Sequence, residues 1–306
     1  MRKVFIQTLI ELAKRDERIV LLTGDLGYTV IEPFQKSFPG RFFNVGVAEQ
    51  NLIGIATGLA ANDFIPFVYS IATFVTLRPY EFIRNGPVLH NLPVRIVGVG
   101  GGFEYGKSGK THHAIEDIGL MRLQRGMNIF VPADSSQTKT ILEETWDISG
   151  PTYYRIGKQE QTLGVLQGKF KVGTLQIIKK GTDIGIFVCG SLSLLAEQVF
   201  QKMNAVGIST LLAVVASISP PPKELKRVIS SFSLVATIES HQITGGLGSL
   251  VSETIVENGL KTRLLRFGIS QPLDSITGSE EYLLNKYHLN EKFIVSRLVK
   301  IWKKKI

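Results

Sequence analysis

The chain has 306 residues, 44% of them hydrophobic and 20% charged, with a formal net charge of +9 and a single cysteine. That length accommodates two domains of ordinary size. One cysteine, Cys189, excludes an intrachain disulfide, and no apolar run approaches the ~20 residues of a membrane span. Basic residues are scattered, apart from Lys179–Lys180 and the tail "WKKKI", and lack interleaved aromatics. Nucleic acid and membrane are therefore set aside as partners, and an acidic protein or a phosphorylated substrate accounts for the excess charge.

The N-terminal segment "MRKVFIQTLIELAKRDERI" spaces its charges through a helical pattern and has no apolar signal-peptide core, which predicts a helix over 3–15 and a cytoplasmic protein. Apolar strand-like runs then alternate with helical patterns. Strands are expected at 18–24, 41–46, 65–70, 94–100, 127–133 and 151–157, with helices at 48–62, 73–85, 113–124 and 135–147. The polar, glycine-punctuated stretch that follows reads as a linker or short hairpin. A second alternation places strands at 183–190, 207–215, 232–240 and 262–268, with helices at 192–206, 222–231 and 246–258. The expected fold class is α/β: two doubly wound domains with mostly parallel sheets, at 1–160 and 175–306, joined by a linker at 161–174.

In open parallel sheets, ligands bind beyond the carboxyl ends of the strands. Those ends here include Thr23-Gly24-Asp25, Gly46 to Glu49, Tyr69-Ser70, Gly98 to Gly102 and Arg155, beside the long loop "GGGFEYGKSGKTHHAIED" at 100–117. Neither a dinucleotide fingerprint nor a P-loop is present, and the adjacent His112 and His113 lack metal-ligand spacing. The turn "ITGGLGSL" reads as close packing of helix on strand rather than as a phosphate cradle. The helix at 48–62 carries only one charge, Glu49 in its first turn. A helix without charged outer positions is expected to be buried nearly all round.

The segments "NVGVAEQNLIGIATGLA", "GKTHHAIEDIGLMRLQRGMNIFVPAD", "GPTYYRIG" and "IESHQITGGLGSLVSE" occur in order, and with them nearly the whole chain resembles the C-terminal half of a transketolase. The resemblance implies a pyrimidine-binding domain followed by a transketolase C-terminal domain, with thiamine diphosphate as cofactor. The family's G-D-G…Asn signature for the metal-diphosphate is missing from this sequence. A separate N-terminal subunit would therefore carry most of the Mg2+ site, in an α2β2 assembly with self-association across the pyrimidine-binding domain. Gly54 and Gly58, one turn apart, would permit close approach of a second helix.

By the same resemblance, Glu49 hydrogen-bonds N1′ of the aminopyrimidine, Phe74 stacks on that ring and Asp25 lies near the cofactor. His112 matches a histidine that contacts the donor oxygen and moves protons. Arg2, Arg155 and Thr29 match residues that hold a sugar phosphate. Ser108 stands where the family carries an acidic residue for a donor hydroxyl, and Gly100 replaces a second histidine. With Lys107 and Lys110 nearby, these departures point to a modified or more anionic sugar. The alternatives are the β subunit of a 2-oxo acid dehydrogenase, a deoxyxylulose-phosphate synthase-like enzyme, or a non-catalytic partner of the same fold.

Overall fold

The structure, a computed structural model, describes residues 1–304, so Lys305 and Ile306 of the basic tail lie outside the described residues. The strands run β1 (Ile19–Thr23), β2 (Phe42–Asn44), β3 (Ile65–Ile71), β4 (Arg95–Val99), β5 (Asn128–Phe130), β6 (Thr152–Ile156), β7 (Gln176–Lys179), β8 (Ile184–Val188), β9 (Thr210–Val214), β10 (Ser217–Ser219), β11 (Leu234–Gln242) and β12 (Arg263–Ile269). They form a seven-stranded sheet, β10-β5-β6-β4-β3-β1-β2, and a five-stranded sheet, β12-β11-β8-β9-β7. All pairings are parallel except β10 with β5 and β7 with β9. Central strands such as β1, β4, β6, β8 and β9 are buried along their whole length, as their unbroken apolar runs require when helices cover both faces.

The alternation anticipated from sequence is present, with four differences. The helix expected at 73–85 divides into Ala72–Leu77 and Tyr80–Ile83, because Pro79 removes a backbone donor. The helix expected at 113–124 is only Asp117–Arg122, since the preceding loop is drawn into the second domain. Strand β10 belongs to the second half of the sequence yet completes the first sheet. Helices Glu280–Lys286 and Glu291–Lys303 close the chain, with Asn290 capping the latter through the Phe293 amide.

The helix Glu49–Ala60 corrects a stronger expectation. Its inner face, Leu52, Ile53 and Ala56, is buried, but Asn51, Gly54, Ile55 and Gly58 are exposed. Exposed Leu77 and Phe82 belong to the same domain. The uncharged outer face is thus not covered by this chain, and a surface of that composition is suited to a protein–protein contact.

A polar network stitches the two domains together. Arg155 of β6 is 4% exposed; its Nε donates to Asp117 Oδ2 at 2.8 Å, and its Nη2 donates to the carbonyls of Ala114 and Ser240, each at 2.8 Å. Tyr153 donates its hydroxyl proton to the same Asp117 oxygen at 2.6 Å. Gln242 N donates to Ile115 O, so β11 also grips the 100–117 loop directly. At Gly102, with φ of +61°, a Cβ would stand 1.7 Å from Ser240 Oγ, so only glycine permits this approach.

Behind this junction, the glycine turn at 245–248 receives a carboxylate of the chain itself. Glu239 accepts from the Leu247 and Gly248 amides at 2.7 Å each, filling the helix N-terminus as packing rather than as a ligand site. Burial raises Glu239 to about 7, while burial lowers His241 to about 4. The two signs oppose each other. His241 contributes stability that is full above its unfolded value near 6.5 and is lost as the pH falls towards 4. Glu239 contributes stability that is full below 4.5 and is lost as the pH rises through 7. Each spans roughly 3 kcal/mol. Urea unfolding of His241→Gln is therefore expected to show stability rising as the pH drops from 7 to 4.5. Glu239→Gln should show it falling between 6.5 and 4. Identical pH profiles for wild type and both variants would refute this assignment.

Candidate active site

The C-terminal edge of the first sheet gathers most of the residues singled out from sequence. Glu49 opens its helix and is 3% exposed, at the wall of a cavity of about 600 Å3 lined by Val47 to Asn51 and Arg78. Both carboxylate oxygens accept from Arg78 Nη1 at 2.9 Å. The Arg78 guanidinium carbon lies 4.1 Å from the centroid of the Phe74 ring. Phe74 meets His112 edge-on at 4.9 Å between centroids, and Tyr105 lies 6.4 Å beyond His112. Lys158 Nζ stands 4.4 Å over the Tyr105 ring. Glu49, Arg78, Phe74, His112, Tyr105 and Lys158 thus form a continuous row from a buried carboxylate to a cationic lip.

The lip borders a second cavity, of about 370 Å3, with Lys107, Ser108, Lys158, Glu104 and Glu280 in its walls. Burial raises both Glu104 and Glu280, Glu280 to about 7, with Glu104 adding to the rise at Glu280. Arg2 donates Nε to the Lys158 carbonyl at 3.0 Å, which places the first helix at this lip. The 100–117 loop that supplies His112, Ser108 and Lys107 is pinched at its base by reciprocal hydrogen bonds between Gly102 and Ala114. His112 itself is half-buried, its Nδ1 3.1 Å from Thr111 Oγ1.

Asp25 and Thr29 lie on the exposed turn after β1. Asp25 accepts from Tyr28 Oη at 2.7 Å and from Asn44 Nδ2 at 3.0 Å, and these bonds hold its carboxyl below the usual range. Asn44 also accepts from the Gly46 amide, so this turn abuts the one leading to Glu49. Thr29 has φ of 66°, an uncommon conformation for a β-branched residue, with its amide held by Glu32 Oε1 at 2.7 Å.

Arg155, expected to hold a sugar phosphate, is buried at the domain junction. Its Nε donates to Asp117 and its Nη2 to the Ala114 and Ser240 carbonyls inside the domain junction, which leaves the side chain 4% exposed. The cation that the same strand end offers to the cavity is Lys158, three residues later. A reading confined to strand termini passes over it, although the loop residues beyond a strand carry function more often than the strand itself. Arg78 escapes sequence reading for a different reason. It sits in a helical pattern beside Pro79, and nothing local indicates that it folds back onto Glu49.

A two-domain α/β chain with a buried carboxylate, an aromatic shelf and a histidine along one sheet edge is built like the pyrimidine-binding part of a thiamine-dependent enzyme. Residues 1–162 match the family described as transketolase, pyrimidine binding domain, and residues 173–292 match transketolase, C-terminal domain. The chain belongs to the transketolase family. It is 36% identical to a putative transketolase C-terminal section of Methanocaldococcus jannaschii, over 99% of this chain and 96% of that protein. It is 32% identical to a subunit of the apulose-4-phosphate transketolase of Phocaeicola vulgatus, covering 99% and 97%. A solved split-gene transketolase, described as an inactive β4 tetramer, superposes with a TM-score of 0.87 at 33% identity, covering 99% of this chain and 97% of that one. Among the described residues, no helix is long and apolar enough to cross a membrane.

Proposed function

We propose that this chain is the C-terminal subunit of a two-subunit transketolase, which transfers a two-carbon ketol unit between sugars with thiamine diphosphate as cofactor. The observation that carries this reading is the berth between Glu49 and Phe74. It already accommodates a flat, hydrogen-bond-donating group, the Arg78 guanidinium, stacked on the ring and bonded to the carboxylate. An aminopyrimidine has the same flatness and presents hydrogen-bonding nitrogens at its edge, so these residues fit it. When bound, the cofactor supplies a carbanion nucleophile for the ketose carbonyl.

The chain's own residues divide the remaining work. Glu49 holds a ring nitrogen by a hydrogen bond made out of water, where such bonds are strongest. Phe74 fixes the plane of the ring. His112, reached from Phe74 by an edge contact, would hydrogen-bond a donor oxygen and pass a proton to or from it. Asp25 and Thr29 border the neighbouring turn. Ser108, Lys107 and Lys158, with Arg2 behind them, would receive the anionic end of the sugar.

Among the described residues, no group of three His, Cys, Asp or Glu side chains is placed to hold a metal. Mg2+ and the diphosphate are assigned to a separate N-terminal subunit, a reading supported by relatives named as a transketolase C-terminal section and as a transketolase subunit. The uncovered face of Gly54, Ile55 and Gly58 would meet a second copy of this chain, as in an α2β2 assembly. Support for such an assembly comes from one relative named as a transketolase subunit and another described as a β4 tetramer that is inactive. The substitution of Ser108 for an acid and the two lysines beside it favour a non-standard, more anionic sugar. A relative named for apulose 4-phosphate supports that direction.

The test is ketol transfer by the reconstituted pair with thiamine diphosphate and Mg2+. Turnover that needs both subunits is expected, and its absence across pentose phosphates and their branched or anionic analogues overturns the reading. Fast turnover of xylulose 5-phosphate would remove the non-standard sugar alone. Within an active pair, Lys158→Ala should raise KM for a phosphorylated donor about tenfold with kcat within about twofold, the signature of lost ground-state binding.

A further inference from the structure

The row of site residues includes one that neither catalysis nor substrate binding has used. Arg78 directs one guanidinium nitrogen to both oxygens of Glu49 at 2.9 Å and lays the guanidinium carbon 4.1 Å from the Phe74 centroid. Its own side chain is 48% exposed, whereas that of Glu49 is 2% exposed. One planar cation thus occupies the two features that would fix the pyrimidine ring: the carboxylate it hydrogen-bonds and the aromatic face it stacks on. Two flat groups cannot share one face of Phe74 at stacking distance. We propose that Arg78 is a placeholder in the cofactor pocket, competing with the aminopyrimidine for Glu49 and Phe74 and swinging outward as the cofactor enters. This rests on the function proposed above.

The local structure makes the exchange feasible. Arg78 follows the helix Ala72–Leu77 and precedes Pro79, so it stands at the break between two short helices, and its long side chain projects half into solvent. Arg78 pairs a buried carboxylate that would otherwise lack a partner, which is costly. It also keeps the aromatic shelf covered. Without Arg78, Glu49 is left unpaired and the incoming ring has no competitor. Removing the side chain should therefore strengthen cofactor binding.

The experiment is equilibrium and stopped-flow titration of thiamine diphosphate, in saturating Mg2+, into the reconstituted complex carrying wild-type, Arg78→Ala, Arg78→Lys or Glu49→Gln chains. Intrinsic fluorescence is the readout, independent of turnover. Arg78→Ala is expected to bind about tenfold more tightly and to associate faster. Arg78→Lys keeps the charge but loses the planar fork, and should fall between the alanine variant and wild type. Binding by Arg78→Ala that equals or is weaker than wild type overturns the placeholder role while leaving the proposed function standing. A wild-type complex that binds no thiamine diphosphate removes both.

Discussion

Glu49→Gln in the reconstituted complex is expected to lower kcat by about 10²–10⁴-fold, the range for loss of a positioned acid–base group. The amide is nearly isosteric with the carboxyl and can keep one hydrogen bond, so the pocket should retain its shape. What it cannot do is take or give a proton at the ring nitrogen. The effect is therefore placed on kcat, with the change in KM for sugar expected within about threefold. Glu49 is 3% exposed, and both its carboxylate oxygens accept from Arg78. A variant with turnover within a few-fold of wild type would assign Glu49 to structure alone, and with it would fall the case for a catalytic rather than a scaffolding subunit. The measurement is steady-state transfer rate at saturating cofactor, with circular dichroism confirming that the fold is kept.

Asp117→Ala should be the most destabilising single change at the domain junction, by about 3–5 kcal/mol, because it strands a buried guanidinium. Asp117 and Arg155 are 0% and 4% exposed at their side chains, and their closest approach is 2.8 Å. The same substitution removes the acceptor of the Tyr153 hydroxyl. Against a typical stability of about 5–15 kcal/mol, such a loss shows clearly in urea unfolding. Arg155→Lys sharpens the test of what Arg155 does. Lysine has no fork to reach Asp117, Ala114 and Ser240 together, so stability should fall while KM for a phosphorylated sugar stays near wild type in whatever folds. The opposite pattern, intact stability with a raised KM, would return Arg155 to phosphate binding. The complementary expectation belongs to Lys158, whose loss should be felt in KM and scarcely in stability, because nothing buried depends on its ammonium group.

The domain junction also explains why the 100–117 loop can be long and still hold its residues in place. Residues 100–117 are tied at the base by the Gly102–Ala114 bridge and from the second domain by Arg155, Ser240 and Gln242. The tip that presents Lys107, Ser108 and His112 is left exposed or half-exposed. The second domain supplies no side chain to the row running from Glu49 to Lys158. Its contribution to chemistry is to position the loop that does, with Glu280 also bordering the lip.

The sequence by itself determined the two alternations of strand and helix, because unbroken apolar runs and helical spacing are local signals that survive without context. It also determined the family, since an ordered set of motifs can be read directly, and it put forward Glu49, Phe74 and His112 as the candidates, the first of them as a lone carboxylate on an uncharged helix. Only the tertiary structure could show that Arg155 faces inward and Lys158 outward. Strand alternation gives the face of a side chain, but its partners come from a loop and a domain nearly 40 and 85 residues away. Only the fold could place Arg78 on Glu49, a contact across 29 residues, or give β10 to the first sheet. The exposed side of the Glu49–Ala60 helix belongs to a third category. Its composition announces a buried surface, yet among the described residues no element of this chain covers Asn51, Gly54, Ile55 and Gly58, because burial depends on what packs against a face and not on the face alone.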